Sequence, residues 1–231
     1  TASSADLLFA GGHTNDDTGF IAGLDPETAT VLFTGENLSA ERVTGVAFDS
    51  TGHLYAVTFA QADASDPSQL VVLDPLTGAV SDSIGIVFLA GEGDLSITDL
   101  AYRHGDNALY GQDQQGRLFT INTDTGEATF VGFLPGNSNP SSIAFGQNDE
   151  LYHFAQNAVP NARELLTIDP DNVDVGGTVV VLSRVLLSTT DRYDGLGVSP
   201  DGTIFASLGG SSGNNIYTID PVTGDVAFFG E

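Results

Sequence analysis

The chain has 231 residues and no cysteine, with six arginines and no lysine against 31 acidic residues, a formal net charge of −25. Without cysteine there is no disulfide framework, thiolate chemistry or cysteine-bound zinc. A field of this sign repels phosphate backbones and anionic lipid, so neither nucleic acid nor a membrane surface is an expected partner. No apolar run approaches the ~18 residues of a membrane helix, so no membrane insertion is expected. Such a surface stays hydrated in concentrated salt, where its self-repulsion is screened. The expected setting is therefore saline and extracellular, secreted or at a cell surface. The opening Thr1-Ala2-Ser3-Ser4-Ala5 has neither Met nor an apolar leader and reads as an end left by processing.

From the N-terminus, Leu8-Phe9-Ala10-Gly11 reads as a strand, and Phe20-Ile21-Ala22-Gly23-Leu24 as another that runs into the turn Asp25-Pro26-Glu27-Thr28. This strand-and-turn phrase recurs. It returns as Leu70-Val71-Val72-Leu73-Asp74-Pro75-Leu76-Thr77-Gly78 and Leu118-Phe119-Thr120-Ile121-Asn122-Thr123-Asp124-Thr125-Gly126. Later copies are Leu165-Leu166-Thr167-Ile168-Asp169-Pro170-Asp171 and Ile216-Tyr217-Thr218-Ile219-Asp220-Pro221-Val222-Thr223-Gly224. The aligned Asp or Asn falls at 25, 74, 122, 169 and 220, giving spacings of 49, 48, 47 and 51 residues. A period near that length, carried by short strands and Gly/Pro/Asp turns, is the signature of a β-propeller blade.

Within each repeat four strands, a to d from inside to outside, are predicted. Strand a is short and rich in small residues: Thr44-Gly45-Val46-Ala47-Phe48, Thr98-Asp99-Leu100-Ala101-Tyr102, Ser141-Ser142-Ile143-Ala144-Phe145 and Asp194-Gly195-Leu196-Gly197-Val198. Period-two alternation puts the branched and the small residues on opposite faces. Small side chains suit a crowded axis. Hairpins such as Asp49-Ser50-Thr51-Gly52 and Ser199-Pro200-Asp201-Gly202 lead into strand b, exemplified by Leu54-Tyr55-Ala56 and Leu109-Tyr110-Gly111. Strand c is the recurring phrase, and d is its antiparallel partner.

The predicted fold is one all-β domain over 1–231: a five-bladed β-propeller, with four complete four-stranded blades plus an N-terminal blade lacking its innermost strand. The blades span approximately 1–37, 38–90, 91–135, 136–188 and 189–231. The five residues ahead of Asp6 are too few for a strand and its turn. Three outcomes compete: a three-stranded blade, a strand lost in processing, or one supplied by a partner, including self-association by strand addition.

The Asp-Pro-x-Thr-Gly copies read as turn chemistry: Asp accepts backbone N–H groups, Pro fixes φ, and Gly takes the left-handed conformation. His13, His53, His104 and His153 are too scattered for a metal motif. Sites in propellers fall in the d-to-a and b-to-c loops, where the residues that break the repeat are Asp16 and Asp17 near His13, Arg42 beside Glu41, Asp63 with Asp66, Asp94 with Glu92, Asn157, and the run Asp191, Arg192, Tyr193 and Asp194. Convergent carboxylates there are candidates for Ca²⁺ or for an acid–nucleophile pair, with Tyr193 and Arg192 as sugar contacts. A candidate protein interface is the outer strand with Val179, Val180, Val181, Leu182, Arg184 and Leu186, which lacks alternation over its first four residues.

The repeats resemble those of bacterial secreted β-propellers that read Leu-Tyr-x-Ile-Asp-x-x-Thr-Gly, a broad group including YVTN- and NHL-like propellers and uncharacterised families. The resemblance covers nearly the whole chain and implies architecture only, since such propellers include enzymes, lectins and scaffolds. The leading expectation is a non-enzymatic extracellular binding or structural protein making protein–protein contacts, as a subunit of a surface assembly. The alternatives are a carbohydrate-binding propeller and a polysaccharide hydrolase or lyase using the loop carboxylates.

Overall fold

The computed structural model of the chain describes residues 8–13, 19–25, 27–28, 30–35, 41–60, 66–156, 163–191, 193–208 and 215–230, and their regular structure is all β-strand. A three-stranded antiparallel sheet comes first, with β1 (Leu8–His13), β2 (Gly19–Leu24) and β3 (Val31–Thr34) in sequence order. The second sheet holds β4 (Glu41–Phe48), β5 (Leu54–Ala60), β6 (Gln69–Leu73) and β7 (Val80–Ile86). Next in the chain come β8 (Phe88–Leu89), β9 (Gly93–Asp94), β10 (Ile97–Arg103), β11 (Ala108–Asp113), β12 (Arg117–Ile121) and β13 (Glu127–Phe133). They form one sheet in the order β10-β11-β12-β13-β8-β9. The fourth sheet is β14 (Asn137–Phe145), β15 (Leu151–Gln156), β16 (Arg163–Val173) and β17 (Val179–Leu186). The fifth is β18 (Tyr193–Val198), β19 (Ile204–Leu208), β20 (Ile216–Ile219) and β21 (Val226–Gly230).

Four of these sheets carry the four-stranded meander of a propeller blade. The chain divides into two compact units, Thr1–Gly111 with Thr120–Thr129, and Gln112–Phe119 with Phe130–Glu231. In the first unit Ile21 packs with Val43, Leu54, Ala56, Val71 and Leu73. In the second, Phe154, Leu165 and Leu187 pack with Tyr193, Ile204, Ala206 and Ile219. Each cluster draws on two successive sheets, so the inner and middle strands bury both faces. That is why Leu54-Tyr55-Ala56 is buried throughout rather than alternating. Small residues on strand a are required sterically in the second sheet: a Cβ on Gly45 would stand 2.5 Å from the Leu100 nitrogen and 2.7 Å from the Asp99 Cα.

The recurring Asp is turn chemistry. Asp74 Oδ1 accepts the N–H groups of Leu76 at 2.8 Å and Thr77 at 3.0 Å, and Gly78 takes φ 75°. Asn122 does the same for Asp124 and Thr125, and Asp220 for Val222 and Thr223. An amide oxygen serves as well as a carboxylate, so the role is to accept hydrogen bonds and not to supply charge. The turn glycines also take the exit of the preceding sheet: Phe88 N–H donates to Gly126 O at 3.2 Å, Phe133 N–H to Gly177 O at 2.8 Å and Ser188 N–H to Gly224 O at 2.9 Å.

Two details depart from expectation. The third sheet extends past its four-stranded meander, because residues leaving β7 fold back as β8, parallel to β13, with β9 beyond it. In the fourth repeat the turn does not come at Asp169. The position that aligns with Gly78 is Val173, and a β-branched residue resists positive φ. β16 therefore runs on to Val173, and the chain turns at Asp174-Val175-Gly176-Gly177, where Gly177 has φ 81°. Residues ahead of Leu8 lie outside the described ones, and with them the expected gap in the N-terminal sheet.

Candidate functional site

Of the loop residues singled out by sequence, Asp16, Asp17, Asp63, Asn157 and Arg192 lie outside the described residues. Arg42 is half-buried on β4, opposite Phe59, and Asp94 is exposed on β9, opposite Phe88. Asp191 is exposed: its N–H donates to Thr189 Oγ1 at 3.0 Å, and its carbonyl accepts Arg163 Nε at 3.2 Å. Asp194 is half-buried on β18. These side chains are divided between the two units. Among the described residues no group of three or more histidines and carboxylates is placed to hold a metal ion.

Tyr193 has moved furthest from its expected role. Its ring is fully buried, edge-on to Phe154 at 5.4 Å and to Tyr217 at 5.5 Å, and burial pushes its phenol up to about 12. A ring enclosed on those sides cannot stack on a sugar; it is a core residue whose position after a loop made it look accessible. His153 is likewise core. Burial lowers its pKa to about 4, so the ring is neutral at physiological pH, with Nδ1 3.4 Å from the Ser142 carbonyl. In the b-to-c turn of the third sheet, Asp113 accepts the N–H groups of Gln115 and Arg117 and pairs with Arg117 Nε at 2.6 Å, which makes it a structural carboxylate.

On the side of the a-to-b and c-to-d turns, the third sheet has a shallow polar depression of about 380 Å³ lined by Asn107, Thr120, Asn122, Thr123, Asp124 and Glu127. Three of its polar groups are engaged in the fold: Asn122 holds its own turn, and Asn107 Oδ1 accepts Ser50 Oγ at 2.7 Å. Thr123 is a hydrogen-bond partner of the Tyr55 phenol. Neither a buried cleft nor converging reactive groups are present there.

The outer strand of the fourth sheet exposes apolar side chains. On β17, Leu182 and Leu186 are 60% and 62% exposed, while Val179 is buried and Val180 and Val181 are half-buried. The missing alternation has a cause. Thr167 pairs with Ser183 and Ile168 with Val181, leaving Leu182 as a bulge that shifts the strand's faces. Arg184 pairs with Glu164 at 3.3 Å. At one end of β17, Thr178 bridges to Phe133, whose ring is exposed and edge-on to exposed Phe130 at 5.2 Å, and Val175 projects fully into solvent. At the other end, the turn carrying exposed Val222 sits against Leu186, whose carbonyl is 2.0 Å from where a Gly224 Cβ would stand.

Phe130, Phe133, Val175 and Val222 were not singled out by sequence. Part of the pattern was in the sequence: residues 128–148 and 175–190 contain no Asp or Glu, although 31 of 231 residues are acidic, a feature that residues 202–219 share. The fold joins these two stretches at the Phe133–Gly177 hydrogen bond.

No protein-family model matches the chain, and no curated protein matches it. Solved structures do. A protein of unknown function from Bacteroides thetaiotaomicron superposes with a TM-score of 0.60 at 17% identity, over 98% of this chain and 56% of its own. Weaker matches are hydrazine synthase of Kuenenia stuttgartiensis (TM-score 0.47, 16% identity, 82% of this chain and 49% of the other) and an inactive variant of virginiamycin B lyase from Staphylococcus aureus crystallised with quinupristin (0.47, 11%, 99% and 86%). The likeness is one of fold. The chain spans about half the length of the first two of these proteins, 56% and 49%.

Proposed function

We propose that this chain is a non-enzymatic propeller that acts through protein–protein contact, in a saline extracellular setting, with the outer edge of its fourth blade as the contact surface. The reading takes the three-stranded sheet as a fifth, incomplete blade: its Asp25 accepts the N–H groups of Glu27 and Thr28 just as the full blades' turn residues do. The setting rests on the net charge of −25 and the absence of lysine.

One observation carries the function. On a chain this acidic, β17 and its flanks gather Phe130, Phe133, Val175, Leu182, Leu186 and Val222 on an exposed edge free of carboxylates from 175 to 190. Exposed apolar residues scattered singly are ordinary; a run of them along one edge marks an interaction surface. The test places a photo-crosslinking amino acid at Leu182 and, as the control, at Leu76, which is equally exposed but lies on the second sheet. Protein adducts form at position 182 and not at 76. Equal yields at both positions, or none at 182, would overturn the reading.

A further inference from the structure

Resting on that contact surface, we infer that its partner is a second copy of this chain, packed face to face through the apolar side chains of β17 and its flanks. Each copy carries a charge of −25, so two copies meet only where carboxylates are sparse. Residues 128–136 and 175–190 supply that gap, and the contact of Phe133 with Gly177 and Thr178 joins them. Carboxylates stand only at its ends: Asp174, engaged by the N–H groups of Gly176 and Thr178 at 2.8 and 2.9 Å, and Asp220 and Asp225 of the turn that meets Leu186. A basic partner has the opposite preference. It is drawn to the acidic loops and gains nothing from an edge without charge.

The geometry favours packing of side chains over addition of strands. The bulge at Leu182 interrupts the ladder and twists the edge away from a straight partner, which is how edge strands avoid pairing. Leu182 and Leu186 nonetheless project outward, and an apolar strip is its own complement across a two-fold axis. Arg184 brings no unbalanced charge to the contact, being held by Glu164 of its own sheet. An eight-residue strand extends about 26 Å, the scale of a standard interface side.

Charge sets the sign of the salt effect. Screening removes repulsion between like copies, so self-association strengthens with salt, whereas attachment of a basic partner weakens. The experiment is sedimentation equilibrium of the whole chain at about 0.1 M and about 2 M NaCl. The wild type is expected to dimerise at least about tenfold more tightly at the higher salt. The double variant Leu182→Asp, Leu186→Asp is expected to stay monomeric at both, with an unchanged circular dichroism spectrum and melting temperature; Leu76→Asp, carrying one added charge elsewhere, dimerises as wild type does. A monomeric wild type at both salts overturns the inference, as does a double variant that dimerises like wild type. If the wild type is monomeric while position 182 still crosslinks to a different protein, the inference falls and the contact-surface reading stands. A monomer without crosslinks sinks both.

Discussion

Strand β13 ends the third meander and β17 the fourth, yet the chain treats these two edges differently. Beyond β13 it folds back on itself: β8 pairs in parallel with Glu127 and Ala128, anchored by Val87, which is fully buried and bonded to Ser68 and Leu95. Nothing of the described chain continues the ladder beyond β17. The other outer strands have their own protection. β3 is four residues long, β7 carries Asp82 and two register shifts, and β21 has Asp225 before it. An eight-residue edge with a bulge, one paired arginine and no carboxylate is guarded against strand addition but not against apolar contact. Chain cover and charge are two ways of keeping an edge solitary, and β17 uses neither.

Uncovering β13 should make its edge behave as that of β17 does. Val87→Asp places a carboxylate in a site with no solvent exposure, which costs about 3 kcal/mol or more unless the segment detaches. The expected result is release of β8 and β9, seen as fast amide exchange at residues 88–95, together with new salt-strengthened association through the freed edge. Protection of 88–95 equal to wild type would contradict the anchoring role given to Val87.

A smaller effect sharpens the junction beside β17. Gly224 has φ 78°, and a Cβ there would lie 2.0 Å from the Leu186 carbonyl, whereas Gly202, at φ 88°, has open space around it. Both Gly→Ala variants carry the left-handed penalty of ~1–2 kcal/mol. Only Gly224→Ala adds the displacement of the β17 exit, for a further ~1–3 kcal/mol. Chemical denaturation should therefore rank Gly224→Ala well below Gly202→Ala in stability, and sedimentation should show it loosening the proposed dimer. Equal losses would mean that the turn does not brace the edge.

Much of the fold was legible because its cause is local. The period of the Asp/Asn turn depends on side-chain oxygens two and three residues from the N–H groups they accept, so sequence spacing and structure coincide. The fourth repeat failed for the same local reason, since the alignment placed a turn where Val173 stands in the glycine position. What sequence could not show is decided by long-range pairing. β8 and β9 are two residues each and gain their place only from β13, and Tyr193 looks like a loop residue until Phe154 and Tyr217 enclose it. The apolar edge lay between these cases. Its residues were partly visible as a strand without alternation, but the bulge that exposes Leu182 depends on the register with β16, and the meeting of two acid-free stretches depends on the fold.

Hydroxyl-radical footprinting of the whole chain at low and high protein concentration, in concentrated salt, tests the claimed surface most directly. Oxidation of Leu182 and Leu186 is predicted to fall as concentration rises, while Leu76 and Leu32, exposed on other sheets, react unchanged. Protection spread evenly over all four leucines, or confined to Leu76 and Leu32, would contradict the assignment of β17 as the surface through which this propeller acts.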